Sequence, residues 1–208
     1  LAEQIFIAAT NNPQKLSELG KLLSGLGIPV IAMREAGIEF SPEENGRSFE
    51  ENAYIKAKAA CEATGMPTIA DDSGLCVDAL DGAPGIFSAR YGGEGLTDRQ
   101  RTQYLLERMK SVPEGKRTAR FVCAICAVFP NGDVLRARGV CEGEILHYPE
   151  GENGFGYDPV FLGETGVSFG RLSAAEKNKI SHRARALAIF KENLIKYNEQ
   201  NSTKDRIY

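Results

Sequence analysis

Hydrophobic and polar positions alternate along this chain with two different periods. Ile5–Ala9 is a short continuous apolar run, the pattern of a buried strand. It leads into Thr10-Asn11-Asn12-Pro13, where Asn12 suits a helix cap and Pro13 the first helical position. Leu16, Leu19, Leu22 and Leu23 then recur at helical spacing, and Gly25 and Gly27 close the element. Ile28–Ala32 reads as a second strand, so the chain opens strand–helix–strand, which predicts an α/β fold. Ser48-Phe49-Glu50-Glu51 has the form of a capping box and predicts a helix to about Ala63. Thr68–Ala70 resumes as a strand and runs into Asp71-Asp72-Ser73-Gly74-Leu75, with the acidic doublet at the strand end.

Further on, Asp81–Gly95 is rich in glycine and reads as loop, and Asp98–Met109 as a helix. Thr118–Phe129 and Val134–Ile145 flank Pro130-Asn131-Gly132-Asp133, a hairpin signal. The first of these strands is apolar on both faces beyond Phe121, which predicts a central position. A second glycine-rich loop covers Pro149–Pro159, and Ser173-Ala174-Ala175-Glu176 forms another capping box. Ser181 to about Tyr197 is the last predicted helix, with a mobile polar tail expected after it. Strands and helices alternating around one hairpin predict a mixed sheet. The expected organisation is one domain over residues 1–198 and a tail over 199–208.

Composition narrows the function classes. The chain has 208 residues, 42% hydrophobic and 25% charged, enough to bury a core without disulfide staples. A net charge of −3 argues against a protein that coats nucleic acid. The charge is uneven: Arg171–Tyr208 carries nine basic and four acidic residues. The longest apolar run, Phe121–Phe129, is nine residues, far short of a membrane span of roughly 20. No secretory leader pattern opens the sequence. Five cysteines, including the pair Cys123 and Cys126 on a predicted strand, read as reduced core residues of a cytoplasmic protein.

Five clusters could carry chemistry. Thr10-Asn11-Asn12-Pro13-Gln14-Lys15 joins a strand to a helix N-terminus, a place suited to anions, although any single loop of this kind is more often an ordinary cap. The acidic doublets Glu43-Glu44 and Asp71-Asp72 offer the hard oxygen ligands that suit Mg²⁺ or Mn²⁺; solvated loop acids are the plainer explanation, and fit Glu43-Glu44 better than Asp71-Asp72. Lys56 shares a helical face with Phe49, Asn52, Ala53 and Ala60 and so points inward to a phosphate or a carboxylate, or snorkels past the core edge. In Gly154-Phe155-Gly156-Tyr157-Asp158-Pro159, Phe155 or Tyr157 could stack on a planar base and Asp158 could accept from a base N–H; a tight turn with aromatic anchors is the alternative. Lys177, His182 and Arg183 place cations at and before a helix N-terminus, where they oppose the dipole unless an anion or a base carbonyl is nearby. Together these features suit a nucleoside triphosphate and its metal.

In order and spacing, the segments Thr10–Lys15, Glu44 through Asn52-Ala53, Ile69–Leu75, Gly82-Ala83-Pro84-Gly85, Ser88–Tyr91, Gly154–Pro159, Glu176-Lys177 and Ser181-His182-Arg183 resemble the inosine triphosphate pyrophosphatase family, house-cleaning hydrolases of deaminated purine nucleoside triphosphates. The resemblance covers nearly the whole chain. It implies an elongated, two-lobed α/β fold with a long mixed sheet flanked by helices and a central substrate cleft, in a homodimer. It implies Mg²⁺-dependent hydrolysis of ITP, dITP and XTP to the monophosphate and pyrophosphate. Carried over by position, Thr10, Asn11, Asn12, Pro13, Gln14 and Lys15 would hold the triphosphate and Lys56 would touch phosphate. Glu44, or its neighbour Glu43, would bind the metal with Asp72, and Asp72 would also be the base. Ser73 would line the site, and Phe155, Gly156, Tyr157, Asp158, Lys177, His182 and Arg183 would surround the purine. Two other readings remain open on the residues alone: a terminal phosphatase, and a nucleotide-binding module without catalysis.

Overall fold

The computed structural model describes residues 5–37 and 42–204. Its strands are β1 (Phe6–Ala8), β2 (Val30–Ala32), β3 (Thr68–Val77), β4 (Thr118–Val128), β5 (Val134–Ile145) and β6 (Phe161–Gly163). The helices are α1 (Pro13–Ser24), α2 (Phe49–Thr64), α3 (Asp98–Arg108), α4 (Ala174–Ile180) and α5 (His182–Lys204). The six strands form one sheet in the order β2-β1-β3-β4-β5-β6. β1 runs parallel to both β2 and β3, while β6 pairs antiparallel with β5, so the sheet is mixed and β4 is central.

The caps explain where the helices start. Asn12 Oδ1 accepts the amides of Gln14 and Lys15 at 2.9 and 3.2 Å, closing the N-terminus of α1. At α2 the expected box is only half formed. Ser48 Oγ accepts the Glu51 amide, but Glu51 Oε2 takes the amide of Arg47, at 2.6 Å, in place of that of Ser48. Complete reciprocal boxes form at Thr97/Gln100, opening α3, and at Ser173/Glu176, opening α4. Gly65 ends α2 in the left-handed region at φ 67°, where a side chain would be strained.

Three expectations are corrected. β3 does not end at the acidic doublet: it runs through Asp71 and Asp72 to Val77, because both carboxylates find partners. The glycine-rich stretch holds a 3₁₀ segment at Gly85–Arg90. The last helix does not end near Tyr197 but continues to Lys204, since neither glycine nor proline follows Gly170 to stop it.

The chain divides into two compact units. The first holds the described residues up to Asp72, with Ala124–Arg138 and the chain from Ala186. Phe6, Ile7, Leu19, Leu23, Ile69 and Phe190 are fully buried there, and Phe129 meets Phe6 edge-on, with ring centroids 5.6 Å apart. The second holds Ser73–Cys123 and Gly139–Arg185, with a core that includes Leu75, Leu105, Met109, Tyr157, Phe161 and Phe169. No helix among the described residues is long and apolar enough to cross a membrane.

All five cysteines are thiols, and four of them are buried. Burial pushes Cys126 and Cys141 up to about 11, away from the reactive thiolate. We expect an aromatic disulfide reagent at pH 8 to modify one cysteine quickly in the folded protein, the half-buried Cys76, and the other four only on denaturation. Two or more fast thiols, or a fast thiol that persists in Cys76→Ser, would contradict this burial.

Candidate active site

In the first unit the acids and lysines come from four segments. β1 delivers Thr10 and Asn11, and the capped start of α1 fixes Pro13, Gln14 and Lys15. Thr10 Oγ1 accepts the Asn12 amide at 3.2 Å, so the loop is braced from within. Lys15 turns inward and pairs with Asp71, Nζ to Oδ2 3.0 Å; the Asp71 side chain is 1% exposed. Lys56 on α2 lies between two acids, 3.3 Å from Glu44 Oε1 and 3.7 Å from Asp72 Oδ1. Its inward orientation is therefore observed, with carboxylates as its partners. Of the acidic doublet at residues 43 and 44, Glu43 is exposed and Glu44 is the member that faces the cluster.

Asn52, which the sequence places on the buried face of α2 with no role of its own, organises this cluster. Its side chain is 1% exposed; Nδ2 donates to Asp72 Oδ2 at 3.1 Å and Oδ1 accepts the Gly46 amide at 2.9 Å. One amide thus ties the segment carrying Glu44 to Asp72. A Cβ at Gly46 would fall 2.6 Å from Asn52 Oδ1, so the glycine admits this contact.

Asp72 is nine-tenths buried, and burial raises its carboxyl above the usual carboxylate range. Lys56 and the Asn52 hydrogen bond pull it back down, Glu44 pushes it up, and Lys15 lowers it. Such a carboxylate, basic yet paired with cations, is suited to orient and deprotonate a water. Among the described residues no three His, Cys, Asp or Glu side chains are grouped to hold a metal ion. The donor set is two carboxylates, Glu44 and Asp72, which fits Mg²⁺, an ion that keeps waters and takes phosphate oxygens as its other ligands.

In the second unit, Ser73, the 154–158 loop, α4 and the start of α5 come together. Ser73 Oγ accepts from Arg183 Nη2 at 3.1 Å. Asp158 Oδ2 accepts the Phe155 amide at 2.8 Å and Lys177 Nζ at 2.5 Å. A Cβ at Gly154, where φ is 77°, would run into the Asp158 carboxylate. Of the two aromatic residues in the loop, Tyr157 is buried in the core and donates its hydroxyl to the Ser88 carbonyl, which leaves Phe155 as the accessible ring. Lys177 Nζ stands 4.5 Å and Arg183 Cζ 5.9 Å from the Phe155 centroid. His182 stacks on Phe121, centroids 4.8 Å apart. His182 and Arg183 at the start of α5 are thus buried and specifically placed, and Ser181 Oγ caps the helix by accepting the Ala184 amide.

Burial also raises Asp158, against the opposing pull of Lys177, the Phe155 amide and Arg183. A carboxyl raised in the folded state binds protons there that the unfolded chain releases. Stability therefore falls as pH rises from the unfolded value through the folded one, and is level above it. Lys177→Met removes the largest opposing group and extends that window upward. Its stability deficit against the wild type should widen between pH 4.5 and pH 7, to about 3 kcal/mol by urea unfolding at pH 7. A deficit independent of pH would show that Asp158 needs no cation to stay ionised.

The chain belongs to the Ham1 family, whose model matches residues 6–193. A relative from Mannheimia succiniciproducens, named dITP/XTP pyrophosphatase, is 47% identical over 197 residues, covering 92% of this chain and 98% of the relative. A Haemophilus influenzae relative with the same name is 46% identical, covering 92% of this chain and all of its own length. Among solved structures, a HAM1 protein from Coxiella burnetii matches with a TM-score of 0.87 at 41% identity, covering 93% of this chain and 99% of that one. The Ham1 protein of Staphylococcus aureus gives 0.86 at 37%, covering 93% of this chain and all of that one.

Proposed function

We propose that this protein hydrolyses the purine nucleoside triphosphates dITP, ITP and XTP to the monophosphate and pyrophosphate, clearing them from the cytoplasmic nucleotide pool. The observation that carries this reading is near-full-length identity, close to one half, with relatives named dITP/XTP pyrophosphatase. The acid–lysine cluster around Asp72 supports its chemistry.

In this reading Thr10–Lys15 and Lys56 hold the triphosphate, and their cationic groups offset charge on its oxygens. Asp72 accepts the proton of the attacking water while Asn52 and Lys56 hold its two oxygens in place. Glu44 and Asp72 would hold Mg²⁺, which supplies further charge neutralisation at the phosphates when bound. Phe155 stacks on the purine. Ser73, Gly156, Tyr157, Asp158, Lys177, His182 and Arg183 shape and charge its surroundings, with donors to favour a 6-oxo group over a 6-amino group. The active form in this reading is a homodimer, which light scattering on a sizing column would test.

The deciding experiment is product analysis. ITP with Mg²⁺ should give IMP and pyrophosphate by phosphorus NMR, much faster than ATP or GTP gives its monophosphate. Chelation should stop turnover and added Mg²⁺ restore it. IDP and orthophosphate would instead identify a terminal phosphatase, and binding without turnover a non-catalytic module.

A further inference from the structure

The Phe155 loop is gripped by a helix that belongs to neither cluster described above. Asp98 and Thr102 lie one turn apart on α3 and so face the same way. Both reach the backbone of one residue, on the two peptide units that flank it: Asp98 Oδ2 accepts the Gly156 amide at 2.7 Å, and Thr102 Oγ1 donates to the Gly156 carbonyl at 3.1 Å. Gly156 follows Phe155 directly, and its φ of 61° is one that side chains seldom adopt. α3 is itself anchored. The Thr97/Gln100 box fixes its first turn, and the buried Arg101 donates to the carbonyls of Tyr91 and Leu96 at 3.2 and 2.8 Å. The grip therefore transmits the position of a seated helix to the residue that follows the accessible aromatic ring.

We propose that Asp98 and Thr102 are positioning residues for purine recognition: by holding both the amide and the carbonyl of Gly156 they set where Phe155 presents its ring, and so set affinity for the base. The inference rests on the reading of Phe155 as the purine platform. Both side chains are engaged on the backbone of Gly156, so in this reading their loss acts on binding of the base and leaves the chemical step alone.

Four variants test this, each assayed with ITP and by hydrogen exchange of the folded protein. Asp98→Ala and Thr102→Val should raise KM for ITP about tenfold, the worth of one well-made hydrogen bond, with kcat within about twofold. Asp98→Asn keeps an acceptor oxygen and Thr102→Ser keeps the hydroxyl, and both should return KM towards the wild type. Exchange at the Gly156 amide should accelerate in Asp98→Ala and stay slow in Asp98→Asn. Unchanged exchange, or faster exchange with an unchanged KM, overturns the proposal, as does a loss confined to kcat. A wild-type protein that turns over no ITP overturns the functional reading and this inference with it. That result is distinct from an active wild type whose variants match it, which defeats the positioning role alone.

Discussion

Replacing Asp72 by Asn is expected to lower ITP turnover about 10³-fold or more while leaving the protein folded. A positioned general base is worth roughly 10² to 10⁴ in rate, and Asp72 in the proposed mechanism also contributes to the metal site. Asn is close to isosteric and keeps an oxygen to accept from Asn52 Nδ2, so the bridge from Gly46 through Asn52 survives. Stability should change little, for two opposing reasons. The variant no longer buries a charge in a nine-tenths buried position, but it loses the attraction to Lys56. Turnover by purified Asp72→Asn, with its melting curve as the control for folding, gives the answer. Activity within tenfold of wild type would move the base elsewhere in the cluster.

The second large effect is on stability and concerns a residue outside the candidate-site clusters. Arg117 is 3% exposed, and among the described residues its partners are backbone carbonyls, with no carboxylate. Nε donates to Ile145 at 2.7 Å, Nη1 to Met109 at 2.8 Å and Val112 at 3.0 Å, and Nη2 to Leu146 at 3.1 Å. One guanidinium thus joins the C-terminal end of α3, the turn after it and the end of β5. Burial lowers its proton affinity, yet an arginine stays charged at any workable pH. Arg117→Met has similar reach and takes one donor from each of four carbonyls, of which Met109 keeps the Val112 amide. The expected loss is about 3–5 kcal/mol, or roughly 10 °C in thermal midpoint for a chain of this size. A drop under about 3 °C would mean that water replaces the guanidinium at small cost.

The frame of the molecule was legible in the sequence wherever a local rule decides it. Asn12-Pro13, Thr97-Asp98 and Ser173 start helices because their caps are local, and the start of β5 follows from the Asn131-Gly132 turn. β3 was harder. Adjacent aspartates disfavour a strand, and partners from α1 and α2, among them Lys15, Asn52 and Lys56, let it continue through them. β6 is three residues long and owes its existence to pairing with Glu144 and its neighbours in β5. The residues of the candidate site were visible as types at spacings. Their division of labour was not, since the choice of Glu44 over Glu43, of Phe155 over Tyr157, and the bridging role of Asn52 all depend on which side chain the tertiary structure buries. Arg117, Asp98 and Thr102 carried no signal at all: nothing in their neighbourhoods separates a buried or gripping side chain from a solvated one.

The cap on α1 has a bearing on life in a crowded cell. The Gln14 and Lys15 amides, which a phosphate would seek at a helix N-terminus, are already engaged by Asn12. An ion that displaces this cap must recover about 1 kcal/mol before it gains anything. Orthophosphate, with one anionic group, has little with which to do so. In the proposed binding mode a triphosphate reaches Lys15, Lys56 and the loop donors together. A loop that satisfies itself at rest, if it is the triphosphate site proposed above, therefore discriminates against inorganic phosphate before any nucleotide arrives.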